Sequence, residues 1–197
     1  MPTNDTWVVS GTLMYAHGSH LLQMTGFTYH DDLGLVITGG LWGTNGTTKV
    51  ESTVDGQTFQ ELRDLLGKNW GQCLVTLEDG NLLSCGGYRN RGTRRYKVQD
   101  DRWDNLGSRM KSDHQNRVCG KVINCTTGKE EVVVAGGQDK NWKKHSATEI
   151  YSVEDGSWRV GTPLPEANAH MASIPYEDSF LVLGGDADYC SNKIYKV

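Results

Sequence analysis

Four apolar runs in this chain end in a glycine pair, and they recur at an almost constant step. They are GLVITGG at 34–40, NLLSCGG at 81–87, EVVVAGG at 131–137 and SFLVLGG at 179–185. The second glycines, Gly40, Gly87, Gly137 and Gly185, are 47, 50 and 48 residues apart. A repeat of this length means one small structural unit copied along the chain. Such units bury their faces only against their neighbours. The runs are short, rich in Val, Ile and Leu, and bounded by turn residues, which reads as β-strand. Glu78-Asp79-Gly80-Asn81 lies between two such runs and predicts a hairpin. Glu154-Asp155-Gly156 predicts another. The 24 glycines against 4 prolines suit many strands joined by tight turns.

Aromatic residues extend the pattern. Tyr96 and Trp103 follow Gly87, seven residues apart, and Tyr151 and Trp158 follow Gly137 with the same spacing. In the first repeat Phe59 takes the tryptophan place, and in the last Tyr195 takes the tyrosine place. Trp7 stands where the tryptophan of a preceding unit would fall. This arrangement resembles the kelch repeat, in which an apolar strand, Gly-Gly, a tyrosine and a tryptophan succeed one another. The resemblance implies an all-β, kelch-type β-propeller of about four blade equivalents. Each blade has strands a to d from the centre outward: the Gly-Gly run is b, the tyrosine lies on c and the tryptophan on d. The expected units are an outer strand within 1–19, blades over 20–68, 69–112 and 113–168, and a partial blade over 169–197. Two closures stay open: a ring sealed by both termini, or a piece of a larger ring.

The net charge of −4, from 20 basic and 24 acidic residues, gives no overall attraction to nucleic acid or to an anionic membrane. No apolar stretch reaches the length of a membrane helix. Residues 1–15 carry neither the basic start nor the apolar stretch of a signal peptide. The five cysteines, Cys73, Cys85, Cys119, Cys125 and Cys190, form no CxxC pair, which argues against a zinc site. Cys73 and Cys85 fall on the expected paired strands a and b of one blade, so they read as a disulfide or as two buried thiols. Asn4, Asn45 and Asn124 stand in N-x-[ST] sequons. Sequons and cysteines together tilt the reading toward an extracellular home.

Chemistry-bearing motifs are few. His20, His114 and His170 each open an expected strand a and read as one recurring repeat position rather than a metal site. Asp186 and Asp188 are too few for a calcium cage. Ser52 to Phe59 resembles the Asp-box turn of sialidases, with Val54 where an aspartate is expected. Kelch-type propellers include a copper oxidase, but no motif places its ligands here, and fold does not carry function. No cofactor is expected. The loops are more informative. In the implied fold the b–c and d–a loops share one face, which places Trp42, Tyr88, Arg89, Arg91, Arg94, Arg95, Lys140, Trp142, Lys143 and Lys144 together. Arginine and aromatics on rigidly held loops are typical of binding surfaces. The expected function is a non-catalytic interaction scaffold for a protein partner with an acidic segment, or for an anionic glycan. The rivals are a propeller enzyme, oxidase-like or glycan hydrolase-like, and a purely structural repeat protein.

Overall fold

The computed structural model describes residues 25–42, 45–113, 115–187 and 193–197. It is all-β, and its strands form four antiparallel sheets arranged as four blades of a β-propeller. The first blade consists of β1 (Gly26–His30), β2 (Gly34–Thr38), β5 (Val50–Thr53) and β6 (Gln60–Glu61), in that spatial order. A small ribbon of β3 (Leu41–Trp42) and β4 (Asn45–Gly46) projects from its b–c loop. The second blade runs β7 (Cys73–Thr76), β8 (Leu82–Cys85), β9 (Gly92–Lys97) and β10 (Arg102–Arg109). The third runs β11 (Val118–Ile123), β12 (Glu130–Ala135), β13 (Thr148–Ser152) and β14 (Ser157–Val160). The fourth has β15 (Ala172–Tyr176), β16 (Ser179–Leu183) and β17 (Ile194–Lys196) among the described residues. The Gly-Gly runs are thus strand b, and Tyr96, Tyr151 and Tyr195 lie on strand c.

Alternation along each strand sends successive side chains to opposite faces, so each blade has one face for the blade before it and one for the blade after. Leu74, Leu82 and Tyr96 of the second blade face back onto Val36 and Val50 of the first. Val132, Val134 and Tyr151 of the third face back onto Cys73, Val75, Leu77 and Leu83 of the second. Phe180 and Val182 of the fourth face back onto Val118, Val133 and Ala135 of the third. Among the described residues the core is therefore three sheet-to-sheet interfaces rather than one central mass. The tyrosines reach into the blade before their own, which explains why they recur.

The seven-residue spacing has a direct geometric cause. It places Trp103 opposite Tyr96, and Trp158 opposite Tyr151, across the c–d hairpin. Their ring centroids are 5.1 and 5.2 Å apart. Each indole N–H then donates to the preceding blade: Trp103 to the Arg63 carbonyl at 2.9 Å and Trp158 to the Thr93 hydroxyl at 2.8 Å. The glycine pairs serve a second joint. Gly87 and Gly185 have φ of +115° and +100°, and a Cβ there would collide with the side-chain oxygens of Asn69 and Asn168. Those asparagines, in the loops leading into the second and fourth blades, donate to the Gly86 and Gly184 carbonyls at 2.8 and 3.0 Å.

Two expectations need correction. Cys73 and Cys85 do sit opposite each other in register, yet the disulfide joins Cys73 to Cys119, with Cα atoms 6.0 Å apart. Cys73 looks forward across the interface, and there it meets the innermost strand of the third blade. Cys85 stays a buried thiol beside Arg117, and burial pushes its pKa up to about 12. Cys125 is free and exposed, and Cys190 lies outside the described residues. The histidines do not share one repeat position. His170 has φ of +56°, and its counterparts at that left-handed site are Gly71 and Asn116, at +64° and +54°. His114 precedes Asn116 by two residues; it and His20 lie outside the described residues, as do Asp188, Trp7 and Asn4.

Candidate binding face

The b–c and d–a loops meet on one face, as a few backbone bonds show. Gly40 N–H donates to the Asn69 carbonyl at 2.9 Å, and Tyr88 N–H to the Trp70 carbonyl at 2.9 Å. The loop carrying Asn69 and Trp70 thereby lies over the glycine pairs of two blades at once. This holds Trp70 against Tyr88, with centroids 4.3 Å apart and planes 14° from parallel. Trp142, from the b–c loop of the third blade, continues the row at 6.2 Å from Trp70. Trp142 has φ of +64° and is 53% exposed, held in a turn whose N–H groups at Asn141 and Lys143 donate to Asp139 Oδ1 at 2.8 and 3.0 Å. Those donors hold the Asp139 carboxyl below its usual range. Three aromatic rings from three loops thus form one shelf.

A recess of about 530 Å³ lies on the same face, lined by Arg89, Asn90, Arg91, Arg109, Asp113 and Lys140. Arg89 places its guanidinium 5.0 Å from the Tyr88 ring centre, a cation–π contact at the recess edge. Arg91 donates to the Lys111 carbonyl at 2.9 Å and lies 3.5 Å from Asp113. Four cations against one carboxylate leave the recess positive, although the whole chain is acidic.

The structure divides the ten expected residues. Tyr88, Arg89, Arg91, Lys140 and Trp142 come together, and Lys143 is exposed in the same turn as Trp142. Trp42 falls in β3 of the first blade's b–c loop, with its side chain outside the described set. Lys144 turns to the fourth blade, where its ammonium contacts the Asp186 carboxylate at 3.3 Å and accepting carbonyls of Asp186 and Ala187. Arg94 and Arg95 are not in the loop at all. The loop ends at Gly92, so both lie within β9. Arg95 pairs with Asp79 in the a–b turn, and Arg94 is half-buried, its pKa lowered by desolvation.

Two residues of the face were not singled out from the sequence, Trp70 and Arg109. Trp70 sits in a d–a loop, outside the b–c loops whose charges and aromatics mark this face in the sequence. Arg109 reaches the recess from the end of β10, beyond the register shift after Asn105. Among the described residues no group of three or more His, Cys, Asp and Glu could hold a metal ion. His170 Nδ1 lies 3.2 Å from Asp186, a pairing within one blade. The Asp-box-like segment is a turn: Asp55 Oδ1 accepts the N–H groups of Gln57 and Thr58, which brings its pKa down to about 2. Asn45 is exposed on the loop face; Asn124 sits in the a–b turn, its Oδ1 accepting from Thr126 and Thr127. Among the described residues no helix is long and apolar enough to cross a membrane.

Radial blades with a loop-built face define the chain as a β-propeller protein. A solved structure described as "Structure of YjhT" is similar to it, with a TM-score of 0.64 at 15% identity, over 88% of this chain and 65% of that one. The chain therefore spans less than two thirds of that neighbour's length, and the likeness concerns the fold alone. No protein family matches the sequence, and no curated protein does.

Proposed function

We propose that this protein is a kelch-like propeller that works as a non-catalytic interaction module, taking an acidic segment of a partner protein on its loop face. The observation that carries this reading is the Trp70–Tyr88–Trp142 shelf beside a recess holding Arg89, Arg91, Arg109 and Lys140. Trp142 is exposed and Tyr88 half-buried, with the buried Trp70 stacked between them as their support, and aromatic rings beside arginines are the composition of interface hot spots. A positive recess in an acidic protein selects its ligand by local field rather than net charge. The Cys73–Cys119 disulfide, together with the sequons at Asn45 and Asn124, supports an oxidising, extracellular setting for that binding.

The test uses a fluorescein-labelled polyglutamate peptide and the variant Arg89→Glu/Arg91→Glu/Lys140→Glu, with Trp142→Ala beside it. The native chain binds with an affinity that falls as salt rises. The triple variant loses binding by at least about tenfold while keeping its circular dichroism, and Trp142→Ala loses part of it. Equal binding by native and triple variant overturns the reading. Capture of a heparin oligosaccharide but not of the peptide moves it to an anionic glycan; capture of neither leaves a structural repeat protein.

A further inference from the structure

Among the described residues three blade interfaces are filled, and the two sheet faces at the ends of the arc are not. Register allows the comparison residue by residue. Gly26, Cys73, Val118 and Ala172 align, since each pairs with the residue just before a glycine pair. On the face turned to a preceding blade, Phe27 of the first blade aligns with Leu74 of the second, and Leu35 with Leu82. Leu74 and Leu82 are 4% and 0% exposed, whereas Phe27 and Leu35 are 62% and 38% exposed, with Tyr29 between them at 67%. On the face turned to a following blade, Ile174 of the fourth aligns with Val75, and Ile194 with Val50. Val75 and Val50 are 7% and 0% exposed against 46% and 65% for Ile174 and Ile194. Tyr176 completes that patch at 45% exposure, where its counterpart Leu77 is at 2%. Contiguous apolar surface of this kind marks an interaction site. Both faces border one open cavity of about 870 Å³, which reaches Phe27, Leu35 and Ile174.

We infer that these two faces are blade-docking surfaces, and that their occupant is further four-stranded blades of the same kind, about two in number. Equivalence with the three filled interfaces says what shape and chemistry fits. A following blade would lay a strand-c tyrosine and apolar strand-b residues onto Ile174 and Leu183, as Phe180, Val182 and Tyr195 lie on the third blade. The number comes from length. The similarity takes in 88% of this four-bladed chain and 65% of the solved neighbour, so the neighbour's remainder has the length of about two more blades. The total falls inside the range of blade numbers that closed propellers adopt. Closure also removes the bare apolar sheet faces that otherwise invite aggregation.

The experiment compares the 197-residue chain with one extended after Val197 by a second copy of residues 69–168. Binding of anilinonaphthalene sulfonate and amide hydrogen exchange are measured on both. In the extended chain, dye binding falls and exchange in the segments 27–29 and 174–176 slows by about tenfold or more. Unchanged dye binding and exchange overturn the inference. So does sedimentation of the 197-residue chain as a dimer with both segments protected, which assigns the faces to a second copy. A separate measurement does not depend on the extension folding. In the 197-residue chain Phe27→Lys and Ile194→Lys leave the unfolding midpoint unchanged while Leu74→Lys prevents folding; a loss with Phe27→Lys as large as with Leu74→Lys overturns the inference.

Discussion

The interface between the first and second blades and the one between the second and third are built on the same frame and joined by different means. In both, a strand-c tyrosine enters the preceding blade and a strand-d tryptophan donates to it. Tyr96 and Tyr151 are 1% and 2% exposed. Around that frame the first interface is hydrogen-bonded, and among the described residues its one charge pair, Arg63 with Asp101 at 3.6 Å, is exposed. Gln72 donates to the Thr38 carbonyl at 2.8 Å, and the hydroxyls of Thr28 and Thr76 lie 3.0 Å apart. The second carries a covalent bond and a buried charge. Cys73 is bonded to Cys119, and Arg117 is enclosed; among the described residues its guanidinium makes long hydrogen-bond contacts, to Met110 Sδ at 3.6 Å and to the Gly71 carbonyl at 3.5 Å. Burial pulls the Arg117 pKa down to about 10, so it remains charged at neutral pH. The repeated residues thus set the spacing of the blades, while the unrepeated ones decide how firmly each pair is held.

The strongest way to break that view is to remove the shared element from each side. Tyr96→Ala and Tyr151→Ala each empty a buried aromatic position and should cost about 3–5 kcal/mol. If the frame is common, urea midpoints of the two variants fall by similar amounts; a loss confined to one of them would show that the tyrosines are not equivalent.

A smaller effect separates the two interfaces. Cys73→Ser/Cys119→Ser removes a link between blades and should cost about 2–4 kcal/mol. Reduction of the native chain should lower its thermal midpoint to that of the variant. In addition, it should raise exchange in β7 and β11 more than in β1, which has no part in the bond. Uniform loosening of both interfaces would contradict the assignment of the bond to one of them.

The smallest expected change has the opposite sign. Gln72, Arg117 and Met171 occupy one repeat position, each packing its tip under the glycine pair of the preceding blade. Met171 does so with an apolar side chain, so the position does not require charge. Arg117→Met should be neutral or raise stability by about 1–2 kcal/mol, because a weakly partnered buried guanidinium gives up its desolvation cost. A clear drop in the midpoint would mean that Arg117 has a partner that supports the interface.

Everything local and periodic is legible along the chain. A step of about 48 residues between glycine pairs, and a tyrosine–tryptophan spacing that matches one hairpin, are written along the chain because each repeat satisfies the same backbone geometry. That was enough for the all-β class, for strand b, and for the membership of Tyr88, Arg89, Arg91, Lys140 and Trp142 in one face. Tertiary structure alone decided what passes between repeats. Cys73 faces both Cys85 in its own sheet and Cys119 across the interface, and only the packing of two innermost strands selects the second. Trp70 joins Tyr88, 18 residues away, because a d–a loop folds over a glycine pair. Arg94 and Arg95 leave the face because the loop closes at Gly92, a boundary set by pairing with β8. A repeat fixes what each blade resembles; which side chains meet between blades depends on the angle and register at which two sheets stack, and those arise only when both are present.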